Sequence, residues 1–201
     1  MTDLRINEAG KAVDEPRSKR DRLIDAAIEL IYRQGIETTT LADIAEAAEV
    51  PLGNVYYYFK SKNEIIDAVV QSHLHTIRAT LAAIEANHRT PKARLKALVK
   101  LLAGERDTIA EYGCPQGSLC SEINKRGSGS DHLAADLIRV SLAWVEDQFR
   151  LMGCREANEL AVTLIATYQG TALLSNTLAD PTLMLRESRR LTRWIDSLPQ
   201  R

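Results

Sequence analysis

The segment VPLGNVYYYFKSK, residues 50–62, brings together residue types whose spacing suggests chemistry. Tyr56, Tyr57 and Tyr58 stand side by side, just after Gly53 and Asn54 and just before Lys60 and Lys62. Residues 51–58 read as a short helix, because proline suits a first helical turn, where its missing N–H costs nothing. Only one face of so short a helix can be buried, so at least one phenol must face solvent or a ligand. A ring with a hydroxyl tip packs along a sugar and hydrogen-bonds a phosphate oxygen. Gly53 lets backbone approach base edges in a major groove, and Asn54 has the amide that pairs most often with adenine. Lys60 and Lys62 flank the next helix start, whose orphan N–H groups also attract phosphate. Arg17, Lys19 and Arg20 sit at the mouth of the first helix, where they add phosphate contacts. An isolated tyrosine or lysine is more often a packing residue or a solvated rim; the joint pattern is what points to nucleic acid.

A second candidate lies in EYGCPQGSLCSE, residues 111–122. If Gly113 ends one helix and Pro115 opens the next, Cys114 occupies an N-cap, where unpaired backbone N–H groups favour a thiolate and lower its pKa. Such a thiol is reactive, although a small residue that fits a tight helix junction is the more ordinary reading. Cys120 and Cys154 read as structural. A reversible small-molecule pocket is the competing mechanism and needs no cysteine. Tyr112, Trp144 and Tyr168 are the aromatics expected beside it, since rings with a polar handle line many ligand sites. No catalytic constellation emerges. The four histidines are His73, His75, His88 and His132, and the first two point apart on a helix. With no C-x-x-C, no H-E-x-x-H and no Gly-rich phosphate loop after a strand, enzyme, metal and cofactor readings lack support.

The elements that must position these groups are helices throughout. Leu23, Ala27, Leu30 and Ile31 recur at helical spacing over 18–34, with Ser18 as cap and Gly35 as stop. Thr40 and Asp43 make a capping box ahead of a helix over 41–48, and Ser61 and Glu64 make another ahead of a long fourth helix over 62–87. Thr90 and Pro91 open a helix that Gly113 ends. Gly127 to Ser130 read as a loop. Three more helices follow: Asp131 caps the first, which stops near Gly153, and the others cover about 155–179 and 182–197. No segment alternates with period two, so the chain is expected to be all-α, with about nine helices.

Of 201 residues, 45% are hydrophobic, 26% charged and 5% aromatic, which excludes disorder and collagen. The first 16 residues mix charge with Gly10 and Pro16 and read as a flexible arm. They hold no apolar core of a signal peptide, and three cysteines suit a reducing compartment, so a cytoplasmic location is expected. The longest uncharged run, Leu160 to Ala179, carries four threonines, Gln169, Gly170, Ser175 and Asn176, and reads as a soluble helix rather than a membrane span. The net charge of −1 is silent about nucleic acid, because local clustering of Lys and Arg matters more than the sum.

Over residues 17 to about 75 the chain resembles the TetR family of transcriptional regulators. The resemblance rests on a helix ending at Gly35, then TTTLADIAEAAEV, then GNVYYYFKSKNEII. It implies a helix-turn-helix head over 17–62 and a ligand-binding and dimerisation domain over 63–201. By it, Thr39 and Thr40, then Leu52, Gly53, Asn54, Tyr56, Tyr57 and Tyr58, then Lys60 and Lys62 are the expected DNA contacts. Pro51 stands where the family usually has Ser or Thr, and Tyr58 where His is common. The stretch around Cys114 resembles, over about ten residues, the branch of that family that includes the N-ethylmaleimide reductase repressor and responds to electrophiles and oxidants.

The second half adds an argument of its own. Leu160, Leu164, Thr167, Thr171, Leu174 and Leu178 make one stripe on the uncharged helix, and Ala161, Ile165, Tyr168 and Ala172 another. A helix without a charged face must be covered on more than one side, most simply by a second copy. The last helix, with Arg190 and Trp194, would complete a four-helix interface. Asn, Thr and Gln on the uncharged helix could orient a neutral or weakly polar ligand. The expected protein is a repressor that binds palindromic operator DNA as a homodimer and leaves it on binding a small-molecule or thiol-reactive inducer, with the fourth helix as lever. The alternative is a helical protein-interaction module that binds no DNA. Operator, target genes, inducer and sign of regulation are not written in the residues.

Overall fold

Capping side chains start the helices close to where the sequence puts them. In the computed structural model, which describes residues 18–127 and 131–199, Ser18 Oγ accepts from Asp21 N at 3.1 Å and opens α1, Lys19–Gln34. The expected arm over 1–16, Arg17 and the loop at 128–130 lie outside the described residues, as do the side chains of Asp131 and His132. Thr40 and Asp43 form the reciprocal box that opens α2, Leu41–Ala47. Pro51 is the N-cap of α3, Leu52–Tyr58, rather than its first helical residue: its ψ of 135° is extended, and it offers no capping hydroxyl. Ser61 opens α4, Lys62–Asn87, and Thr90 opens α5, Pro91–Gly104.

The stretch expected as one helix up to Gly113 is divided. Low-propensity Gly104 precedes a break at Glu105, after which α6 runs Arg106–Tyr112. Cys114 then caps α7, Pro115–Arg126, followed by α8, Asp131–Leu151, α9, Ala157–Thr177, and α10, Thr182–Ser197. The fold is all-α. One continuous apolar core runs from Leu23 and Phe59 at the head, along Ile65, Val69, Leu74 and Leu81 of α4, to Leu137, Phe149 and Ile195. Burying such side chains contributes roughly 1.5–3 kcal/mol each. No helix among the described residues is long and apolar enough to cross a membrane.

The faces of α9 are assigned differently from the sequence expectation. Leu164 is fully buried, and with Thr171 it lines a narrow crevice shared with Val99 of α5 and Met184 and Leu191 of α10. Leu160 packs against the chain's own core, and Thr167 is half-buried, its carbonyl accepting from Thr171 Oγ1 at 2.7 Å. Both expected stripes are thus largely covered from within, because α6, α8 and α10 all pack on this helix. What stays outside is a third stripe, Val162, Ala166, Gly170 and Leu173, joined by Leu174 and Leu178 near the C-terminal end. Trp194 also turns partly inward, its ring edge-on to Phe149 at 5.7 Å, while Arg190 stays exposed and bonds Glu187 of its own helix at 2.6 Å.

Candidate nucleic-acid interface and ligand cavity

Two buried side chains decide which way α3 faces. Val55 and Phe59 are sunk in the core, which turns Leu52, Gly53, Tyr56 and Tyr57 outward. Tyr57 is 77% exposed, and space beside Gly53 is open. Tyr58 lies half-buried against the core with its ring edge-on to Tyr57 at 5.0 Å, so it supports the exposed phenol from behind. Asn54 is half-buried at the helix start. Lys60 is exposed and its Nζ donates to Tyr56 O at 2.7 Å, closing the end of α3. Lys19 is exposed at the start of α1, and Arg20 lies over the Phe59 ring at 5.3 Å.

Two expected contacts are placed otherwise. Thr39 is fully buried, its hydroxyl donating to Gly35 O at 2.8 Å, so it closes the turn between α1 and α2 and cannot reach a phosphate. Thr40 is exposed at the head of α2. Lys62 is drawn toward that same turn, donating to Glu37 O at 3.3 Å. Partial burial, together with Arg126 nearby, lowers its pKa.

A cavity of about 280 Å³ lies among α4, α5, α8 and α9, with Tyr32 of α1 and the turn into α7 on its wall. Its sides are mostly aliphatic, with Ile77, Leu81, Leu98, Ile138 and Ile165 among them, and exposed Leu101, Glu105 and Thr108 form its rim. Cys114 and Tyr168 both line it, Sγ standing 3.6 Å from the phenol oxygen. Cys114 sits at the expected N-cap, accepting from Gly117 N at 3.4 Å, and is buried. Tyr112 and Trp144 do not line the cavity. Tyr112 tilts against Tyr32 at 5.5 Å beneath the Arg33 guanidinium, and Trp144 Nε1 reaches across to Glu85 of α4 at 2.8 Å. Ring and cation contacts hold Tyr112, and a hydrogen bond holds Trp144, each to a different neighbour, which aromatic character alone does not reveal. Cys120 is turned inward as expected; burial pushes its thiol up to about 11, and it donates to Ala134 O at 3.2 Å.

The lining includes groups that the sequence pattern did not single out. Tyr32, His73, Glu105 and Gln116 come from four separate elements, so no local spacing announces them. Burial, reinforced by nearby Cys114, pushes the Tyr32 phenol up to about 12, and burial also raises Tyr168 far above the usual phenol range. Both therefore remain protonated donors. Burial lowers the pKa of His73, which holds its ring neutral.

The turn into α7 joins this cavity to the head. Tyr32 Oη donates to Gly113 O at 2.9 Å, one residue before Cys114. Two turns further along α7, the Glu122 carboxylate accepts from Ile36 N at 2.5 Å and lies against Gly35. Near its end, Arg126 pairs with Glu37 and donates to Asn63 at 3.3 Å. Thus α7 touches the end of α1, the turn that carries Thr39, and the start of α4. The fourth helix is not the only connection between the two halves.

Comparison with known proteins agrees with this arrangement. The tetR family of bacterial regulatory proteins matches over residues 23–69, which take in α2, α3 and the first turns of α4. The HTH-type transcriptional regulator TtgR of Pseudomonas putida is 27% identical over 194 residues, covering 92% of this chain and 91% of TtgR. An uncharacterized HTH-type transcriptional regulator in the lacX 3' region of Lactococcus lactis is 30% identical over 110 residues, 54% of this chain, and the match spans 56% of that relative's length. In the solved structures, reduced NemR of E. coli shares the fold with a TM-score of 0.77 at 18% identity, over 89% of this chain and 97% of that one. The head of the chain thus matches the tetR family of bacterial regulatory proteins, and the chain as a whole shares its fold with solved TetR-family regulators.

Proposed function

We propose that the protein is a repressor that binds palindromic operator DNA as a homodimer and releases it when an inducer occupies the cavity beside Cys114. The outward presentation of Leu52, Gly53, Tyr56 and Tyr57 over buried Val55 and Phe59 carries this reading. One short recognition helix reads few bases, whereas two related by a two-fold axis read half-sites roughly 34–36 Å apart. The exposed, uncharged stripe of α9 supports a second copy as its cover, because Leu173 and Leu178 are 67% and 64% exposed. Arg186, Arg189, Arg190 and Arg193 are exposed on α10, which packs on α9, and would supply the polar rim of such an interface.

Release follows if occupancy of the cavity shifts the turn into α7, since that turn is bonded to α1, and α4 moves with it. A neutral electrophile that enters the cavity adds at Cys114 Sγ, forming an S–C bond while the thiol proton passes to the adduct. A reversible ligand achieves the same shift without that bond. The deciding experiment is binding to DNA flanking the protein's own gene, with and without a mild thiol-reactive compound. Tight, salt-sensitive binding is expected, because phosphate contacts release counterions. Release by the compound that disappears in Cys114→Ser assigns the thiol as sensor; equal release in that variant assigns a reversible ligand. Absence of salt-sensitive binding would favour the protein-interaction module.

A further inference from the structure

The charge pattern of the cavity restricts what can occupy it. Among the described residues no lysine or arginine lines it, and its one histidine, His73, is held neutral by burial. Among the described residues the one carboxylate on its wall is Glu105, exposed at the rim where α5 breaks into α6. The same carboxylate raises the pKa of the Tyr32 and Tyr168 phenols, so its field reaches the interior. A ligand anion therefore meets Glu105 if its head points outward, and a mostly aliphatic wall whose polar groups are all neutral if its head points inward. Neither orientation supplies a cation, and burying an unpaired carboxylate is strongly unfavourable. A cationic or neutral head has favourable places in both regions: the Glu105 carboxylate at the rim, or Gln116, Gln169 and the protonated phenols within.

Volume sets the size of the apolar body. An apolar cavity of roughly 150 Å³ holds a benzene ring. At about 280 Å³ this one is not quite twice as large, which suits a body of one to two fused rings. We infer that the inducer is a compact lipophile of that size with a neutral or cationic head, and that the cavity rejects the same body carrying a carboxylate. This rests on the reading that the cavity is the inducer site.

The test uses three probes with one body: 2-naphthylmethylamine, 2-naphthalenemethanol and 2-naphthoic acid. Each is titrated calorimetrically into the full-length protein, and into Glu105→Gln, whose exposed side chain leaves the core untouched. The alcohol is expected to bind at least about tenfold more tightly than the acid, in line with a buried carboxylate that finds no cation. The amine should exceed the alcohol by about threefold, the scale of a solvent-exposed ion pair, and Glu105→Gln should erase that excess. Acid binding as tight as the alcohol overturns the inference and leaves the cavity intact as a site. An amine preference that survives Glu105→Gln overturns the role of the rim. Binding by none of the three overturns the inducer-site reading and this inference with it.

Discussion

Tyrosine serves opposite ends in the two halves of this molecule. On α3, Tyr56 and Tyr57 are exposed to solvent. Around the cavity, Tyr32 and Tyr168 are half-buried, their hydroxyls engaged by Gly113 O and by Cys114. The difference comes from what lies behind each ring. On a helix of seven residues, Val55 and Phe59 use the single buried face, and adjacent phenols are forced out. On α9, 21 residues long and packed by three helices, a phenol is drawn in and must find a polar partner. Exposed phenols suit a surface that recognises a large partner; buried ones suit an interior whose hydrogen bonds change when something enters it.

The comparison breaks most sharply at Phe59. Phe59→Ala removes a buried anchor of α3, and the expected cost is about 3–4 kcal/mol, measured by denaturant unfolding. DNA binding should vanish with the orientation of α3, while calorimetric binding of a cavity ligand persists if the second half keeps its packing. Unchanged stability would mean that the exposed face of α3 is not set by its core face. Next comes Tyr57→Ala, which removes an exposed ring and should weaken operator binding about tenfold at matched salt. The melting temperature and dimer mass should stay as in the parent, and Tyr168→Phe should leave DNA affinity unchanged. If both variants bind DNA alike, the division of labour between tyrosines is wrong.

Much of the head was legible because its signals are local. The capping box at Thr40 and the capping hydroxyl of Ser61 lie within one turn of the helices they start, so the residues alone place those starts, although the Glu64 carboxylate accepts from Lys60 N instead of closing the expected box on Ser61. Cys114 as an N-cap was readable for the same reason, from Gly113 before it and Pro115 after it. Which threonine would be buried was not readable. Thr39 and Thr40 are neighbours of one type, and only the path of the chain back to Gly35 O separates them. On α9 the periodicity correctly signalled cover on several sides, but an uncharged helix offers three similar stripes and no label for the one left outside. The cavity is the least legible part, since Tyr32, His73 and Tyr168 meet only through packing between distant segments.

A smaller effect should report on the junction between the halves. Glu122→Gln keeps the shape of the side chain but replaces a charge-assisted bond to Ile36 N by a neutral one, a loss of about 1 kcal/mol. The Ile36 amide should then exchange with solvent several-fold faster in hydrogen-exchange measurements, with the α3 amides less affected. Release of DNA by a cavity ligand should also become less complete, because one bond joining α7 to the head has weakened. Unaltered exchange at Ile36 together with unaltered release would remove α7 from the coupling and leave α4 alone as the connection.

The smallest expected effect lies in the response to acid, and it separates the two halves by sign. His73 is half-buried on α4, in a crevice shared with Tyr32 of α1 and Pro115 and Glu122 of α7. Burial lowers its folded-state pKa beneath the ordinary histidine value, so between the two values the unfolded chain binds the extra proton and the folded chain does not. Stability must then fall as pH drops through about 6.5 and level off below the folded pKa. Desolvation is the cause of this shift, even with the Glu122 carboxylate lining the same crevice. Replacing His73 by Asn removes the titration, and the variant's melting temperature should decline less between about pH 7 and 5.5 than the parent's, a range above most carboxylate titration. A parallel decline in both proteins would show that His73 does not carry the penalty. Because Tyr57→Ala leaves His73 in place, it should retain the full acid response, which makes it the control that keeps head and cavity apart.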